Sequence, residues 1–186
     1  MRAFIAMELP GAIRESLMSL RERLRRSGAK ASWVHPDNMH LTLRFLGEVD
    51  QDAINALCAL LEAEYRNCGP VTLAVAGVGG FPNRRKPSVV WAGIEILSGD
   101  LMVLQAHAEQ AARSIGLAPE EKPFHPHVTL ARLRDHRALG TLPAELEAAQ
   151  TYWGGEFTAA VVSLFSSELR PAGPIYRCLR EFPVSC

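Results

Sequence analysis

The chain of 186 residues has no net charge, because twenty Lys and Arg balance twenty Asp and Glu. It therefore lacks the global field that holds long nucleic acid, although a local basic patch could still bind a few phosphates. The four cysteines, Cys58, Cys68, Cys178 and Cys186, show no C-x-x-C spacing. They outline neither a disulfide framework nor a structural zinc site, and a reducing cytoplasm is the simplest reading. No apolar run approaches the length that spans a bilayer, and the opening Met1-Arg2-Ala3-Phe4-Ile5-Ala6-Met7-Glu8 turns acidic too soon for a signal peptide. A soluble, cytoplasmic protein is expected. No glycine-rich phosphate loop is present, and no acidic or cysteine cluster completes a metal site around the histidines. Neither metal nor cofactor is expected. No obligate protein partner is indicated, so a monomer is expected.

Against these absences stands one repeated pattern. His40-Leu41-Thr42-Leu43 and His127-Val128-Thr129-Leu130 both read His-x-Thr-x, nearly half a chain apart, and both lie in runs that alternate polar with apolar. Side chains on a strand point alternately to opposite faces, so each His and Thr should share one face while the aliphatics bury the other. Two copies at this spacing suggest a duplicated unit with both histidines facing one cleft. The bland alternative is a pair of buried histidines in two sheet cores.

Read in order, Arg2 to Leu9 is a buried strand, followed by a helix through Ile13, Leu17, Leu20 and Leu24 that stops near Gly28. Arg21, Arg23, Arg25, Arg26 and Lys30 mark either a solvated helix face or a surface that meets a nucleic-acid tail. Trp33 to Pro36 leads into the first motif strand, Met39 to Leu46. Asp50 or Asp52 caps a helix through Ile54, Leu57, Leu60 and Leu61, whose apolar stripe takes Cys58 into the core rather than into chemistry. Strands follow over 71–78 and 88–96. The loop between them, with Phe81, Arg84, Arg85 and Lys86, is either a ligand cover or a plain hairpin connection. Asp100 caps a helix through Ile115 that carries His107, expected at the surface or rim. Pro119 to Pro123 is a linker, and the second motif strand spans about Phe124 to Leu133. A weaker helix lies between Asp135 and Gln150. Phe157 to Leu169 and Ile175 to Phe182 form closing strands joined through residues 170–174. The whole predicts one α+β domain over residues 1–186, made of two similar lobes. Each lobe has an antiparallel sheet facing a central cleft, with helices on the outer faces.

Two histidines across a cleft can serve as general acid and general base in one turnover, as phosphoester cleavage requires. Threonine hydroxyls on the same face can donate to the non-bridging phosphate oxygens.

The paired motifs resemble those of the two-histidine phosphoesterase superfamily, and in particular its RNA 2′,3′-cyclic phosphodiesterase branch, also called 2′-5′ RNA ligase. The likeness extends to Arg2-Ala-Phe-Ile-Ala, His40-Leu-Thr-Leu-Arg-Phe-Leu-Gly-Glu, Gly80-Phe-Pro, Val90-Trp-Ala-Gly and Phe124-His-Pro-His-Val-Thr-Leu-Ala-Arg. It implies metal-free hydrolysis of a terminal 2′,3′-cyclic phosphate to a 2′-phosphate. In that scheme His127 activates water, His40 protonates the departing 3′ oxygen, and Thr42, Thr129 and Arg132 hold the phosphate. It also implies a reverse joining to a 5′-hydroxyl through a 2′-5′ linkage. Strict alternation places Arg132 on the Val128 and Leu130 face, so its role requires a bulge or a strand end after Thr129. Arg44 has the parity of His40 and Thr42, and is expected as an exposed strand-edge charge. RNA ending in a 2′,3′-cyclic phosphate is the implied partner. A small cyclic or 2′-5′-linked nucleotide is the alternative substrate, and non-catalytic binding of RNA ends the alternative role.

Overall fold

The computed structural model describes every residue except Ala172, Ser185 and Cys186, so Cys186 and the middle of the 170–174 connection lie outside the description. Its strands are β1 (Arg2–Glu8), β2 (Ser32–Trp33), β3 (His40–Glu48), β4 (Val71–Phe81), β5 (Val89–Ser98), β6 (His127–Arg132), β7 (Trp153–Ala159), β8 (Val161–Arg170) and β9 (Gly173–Pro183). Its helices are α1 (Gly11–Arg25), α2 (Gln51–Tyr65), α3 (Leu101–Ser114) and α4 (Leu142–Ala148), with a 3-10 turn at Pro36–Asn38. The caps follow the sequence: Asp50 accepts the Ala53 N–H at 2.8 Å, and Asp100 accepts the Val103 N–H at 3.1 Å.

The strands form an antiparallel sheet in the order β7-β4-β5-β6-β3-β1-β8-β9, with β2 paired to β6. The two expected sheets are thus two four-stranded arms of one surface. They are continuous because the motif strands pair with each other, through Leu41 and Val128. Repetition is visible in the arrangement, since β1 flanks β3 as β5 flanks β6. Helices α2 and α3 pack beside the β3 arm, while α1 and α4 pack beside the β4 and β7 arm. One cluster of buried residues runs through both arms, from Ile5, Leu41 and Leu57 to Val75, Val128 and Leu146. Each such fully buried aliphatic contributes about 1.5–3 kcal/mol by leaving water.

The closing strands differ from expectation. The chain does not run straight from Phe157 to Leu169 but breaks at Ala160. Before the break β7 pairs with β4 at one edge, and after it β8 pairs with β1 in the other arm. The hydrophobic run is unbroken because both segments bury one face; the partner changes, and no sequence period records that.

Candidate active site

His40 and His127 are the first residues of β3 and β6, the two central strands. Leu41 lies opposite Val128. Continuing this antiparallel register by one residue each way sets His40 opposite Thr129 and Thr42 opposite His127. The histidines are then diagonal neighbours, which in a regular ladder lie about 7–8 Å apart, with the threonines on the other diagonal. A phosphate is of the size to sit among the four. All four residues are half-buried, whereas Leu41, Leu43, Val128 and Leu130 are fully covered on the helix side.

Both motif strands contain a β-bulge just after the threonine. In β3, Ile5 pairs with Arg44 and Ala6 with Thr42, leaving Leu43 extra; in β6, Val90 pairs with Ala131 and Trp91 with Thr129, leaving Leu130 extra. An extra residue reverses the parity of everything after it. Arg132 is thereby returned to the face of His127 and Thr129, where it is exposed. Its charge acts on His40, His127 and Tyr176 together. Among the described residues it has no ion-pair partner.

The same shift removes Arg44 from the site, correcting the expectation of an exposed strand-edge charge. Arg44 is 8% exposed and points to the helix side. Its Nε lies 2.6 Å from Glu109 on α3, a close ionic contact whose N–H is not aligned on the oxygen. Its other nitrogens donate to Glu120 at 3.2 Å and to the Ala118 carbonyl at 2.6 Å. Glu109 in turn accepts the Glu120 N–H at 3.1 Å. The network fastens the irregular segment 117–126 that leads into His127. Phe45, one residue on, takes the position on β3 that Arg132 has on β6, and is exposed.

Each histidine is oriented by the backbone two residues before it. His127 Nδ1 lies 2.6 Å from the His125 carbonyl oxygen, so it is the Nδ1–H that donates and Nε2 is left as the free acceptor. His40 makes the corresponding hydrogen bond to the Asn38 backbone. Burial pushes the His40 imidazole down to about 4, overcoming that hydrogen bond, and the charges of Arg132 and His127 push the same way. Burial lowers His127 as well, again against its backbone hydrogen bond. At pH 7 both rings therefore favour the neutral form. A bound phosphate reverses the balance, because its negative charge favours the imidazolium.

Each histidine also has its own aromatic wall, which the motif did not reveal. Phe4 stacks on His40 with centroids 4.7 Å apart, Tyr176 meets it edge-on at 5.3 Å, and Phe165 backs Phe4. Phe81 meets His127 edge-on at 5.2 Å, with Trp91 and His125 beside it. The Trp91 ring lies directly on Gly79, where a Cβ would sit 2.3 Å from it; only glycine admits the ring. Phe4 and Phe165 could have been suspected, since each is a large aromatic within a strand. Tyr176 had no signal, because only the pairing of β8 with β9 brings it to His40. A cavity of about 500 Å³ opens beside His40, reached by Arg14, Asn38, Phe165, Arg170 and Tyr176. Asn38 also donates to the Pro174 carbonyl at 2.9 Å, tying the turn before β3 to the β8–β9 hairpin.

His107 stays apart, 3.0 Å from Glu64 between α2 and α3. Among the described residues no three His, Cys, Asp or Glu side chains converge as a metal site would require. No helix among them is long and apolar enough to cross a membrane.

Known proteins share this framework along nearly its whole length. The family model described as LigT like Phosphoesterase matches residues 7–91 and 95–176. The chain is 31% identical over 181 residues to the RNA 2′,3′-cyclic phosphodiesterase of Methanothermobacter thermautotrophicus, covering 97% of each. To the Thermotoga maritima protein of the same name it is 32% identical over 182 residues, covering 97% of this chain and 94% of that one. A crystal structure from Thermus thermophilus superposes with a TM-score of 0.82 at 28% identity, over 99% of this chain and 98% of the other. Escherichia coli LigT complexed with 3′-AMP superposes with a TM-score of 0.79 at 25% identity, over 100% of this chain and 98% of that one. Two matched segments that each carry one His-x-Thr-x strand, on a fold shared end to end, make this chain a member of the LigT-like phosphoesterase family.

Proposed function

We propose that the protein hydrolyses the 2′,3′-cyclic phosphate at the end of an RNA to a 2′-phosphate, using His127 as general base and His40 as general acid. The observation that carries this reading is the diagonal histidine pair with a threonine opposite each ring and the unpaired cation of Arg132 acting on both. The relatives named for this activity support the substrate class. Balanced charge and scattered cysteines support a cytoplasmic setting.

In this mechanism the cyclic phosphate rests among Thr42, Thr129 and Arg132. The two hydroxyls and the guanidinium stabilise charge that grows on the non-bridging oxygens without exchanging protons themselves. His127 Nε2 takes a proton from water as its oxygen bonds to phosphorus. On the far side the bond to the 3′ oxygen breaks, and His40 supplies that oxygen with a proton. The low proton affinity of His40 sets a condition: the phosphate must recruit the proton as it binds. Once recruited, that proton is held on the imidazolium beside the leaving oxygen, ready for transfer.

The test is cleavage, in EDTA, of an RNA oligonucleotide ending in 2′,3′-cyclic phosphate. The expected product is a 2′-phosphate, formed about 10² or more times slower in His40→Ala and in His127→Ala. Loss of the wild-type activity in EDTA, or single variants near wild-type rate, would overturn the assignment.

A further inference from the structure

The cavity of about 500 Å³ that His40 itself lines is larger than the reacting phosphate needs. The mechanism identifies what fills it. His40 protonates the 3′ oxygen, and that oxygen belongs to the terminal ribose, so the terminal nucleoside lies on the His40 side. The volume is within the range that encloses a ligand of this size. Phe165 and Tyr176 give the cavity aromatic walls, against which any of the four bases can stack. The next charged group along an RNA is the internucleotide phosphate on the 5′ oxygen of that nucleoside. One cation of the cavity is free to meet it. Arg14, near the start of α1, is half-buried on the cavity wall, and its guanidinium has no hydrogen bond or ion pair among the described residues. Arg170, the other arginine of the wall, is held by Glu168 at 3.0 Å. Cations further along α1 are engaged as well: Glu22 takes Arg21 at 2.6 Å and Arg25 at 3.4 Å, and Glu145 takes Arg23 at 3.4 Å. Glu8 and Asp37 border the same cavity, so it is no general sink for anions; a phosphate is held only where it meets the guanidinium.

We propose that Arg14 binds the internucleotide phosphate immediately 5′ of the terminal nucleotide. The inference rests on the cyclic phosphodiesterase reading and narrows its substrate to an RNA end. A nucleoside 2′,3′-cyclic phosphate occupies the cavity but leaves Arg14 unpaired, whereas the shortest RNA, a dinucleotide, engages it. The guanidinium presents parallel N–H groups that donate to the two non-bridging oxygens of the phosphodiester. Arg14 stands a nucleotide away from the reacting phosphorus, so its contact is the same in the bound substrate and in the transition state. Such a contact lowers KM and leaves kcat unchanged.

The experiment measures kcat and KM for a nucleoside 2′,3′-cyclic phosphate and for two dinucleotides ending in the same group. Both dinucleotides are 2′-O-methylated on the 5′ nucleoside; one has a phosphodiester linkage and the other an uncharged methylphosphonate. The wild-type KM should be lower for the phosphodiester than for the methylphosphonate by about tenfold or more, with kcat alike. Arg14→Gln should raise the KM of the phosphodiester by a similar factor and leave the other two substrates unchanged. A methylphosphonate that the wild type cleaves as well as the phosphodiester overturns the phosphate site and leaves the hydrolytic reading standing. So does an Arg14→Gln variant that matches the wild type on the phosphodiester, or one that loses equally on all three substrates. Turnover of none of the three by the wild-type protein overturns the hydrolytic reading, and the site with it.

Discussion

Replacing Arg44 by methionine should unfold this protein more readily than any change of an exposed arginine. Arg44 sits at 9% side-chain exposure among Glu109 at 20%, Glu120 at 45% and the Ala118 carbonyl. Removing one partner of a buried ion pair typically costs about 3–5 kcal/mol, because the other charge stays desolvated. Glu120 is half in water and can rehydrate, so the burden falls on Glu109 and the carbonyl, and the lower end of the range, about 3 kcal/mol, is expected. In a chain of this size that corresponds to a fall in Tm of about 6–12 °C. Urea titration of Arg44→Met reads the loss directly from the midpoint. The cause is tested by Arg44→Met/Glu109→Leu, which removes the stranded carboxylate and should be more stable than the single variant. A single-variant loss below about 1 kcal/mol, or a double variant less stable than the single, refutes the buried-pair account.

Three further outcomes follow from the site. Because His40 excludes a proton in the folded protein, the unfolded chain binds more protons between about pH 6.5 and 4. Stability should therefore be complete above pH 6.5 and fall as the pH drops towards 4, by up to about 3 kcal/mol from this group. Urea midpoints across that range should fall more steeply for the wild type than for His40→Ala, and parallel curves would count against the buried neutral imidazole. Binding of inorganic phosphate at pH 7 should take up as much as one proton, seen calorimetrically as a binding enthalpy that depends on the ionisation enthalpy of the buffer; no buffer dependence would refute the recruitment of a proton to the pair. Gly79→Ala drives a methyl into the Trp91 ring, so it should cost about 1–3 kcal/mol by overpacking. It should also shift Trp91 fluorescence, and a neutral variant would show that the ring is free to move.

Much of this protein is legible in its sequence. Period-2 alternation around His40 and His127 placed both on strands, with the aliphatics to the core, because a half-buried strand needs one apolar face wherever it ends up. Helical periodicity and the aspartates at 50 and 100 located three helices for the same local reason. Alternation failed one residue after each threonine. A bulge is a mismatch between two paired strands, so neither strand's own sequence records it. Arg44 and Arg132 consequently exchanged their expected faces: the cation with matching parity went to Glu109 in the core, and the one with the wrong parity returned to the histidines.

What the sequence determined by itself was local and chemical: two imidazoles with two hydroxyls at fixed spacing, the strands that carry them, and the duplication of the unit. Only the tertiary structure decided which residues meet across strands. It joined the two sheets at Leu41 and Val128 and split the closing segment at Ala160 between two arms. It brought Tyr176 to His40 and Phe81 to His127 over separations that no periodicity spans. Strand pairing and register are set by the packing of all nine strands together, and so the walls of the cleft are a property of the fold and not of any single stretch of chain.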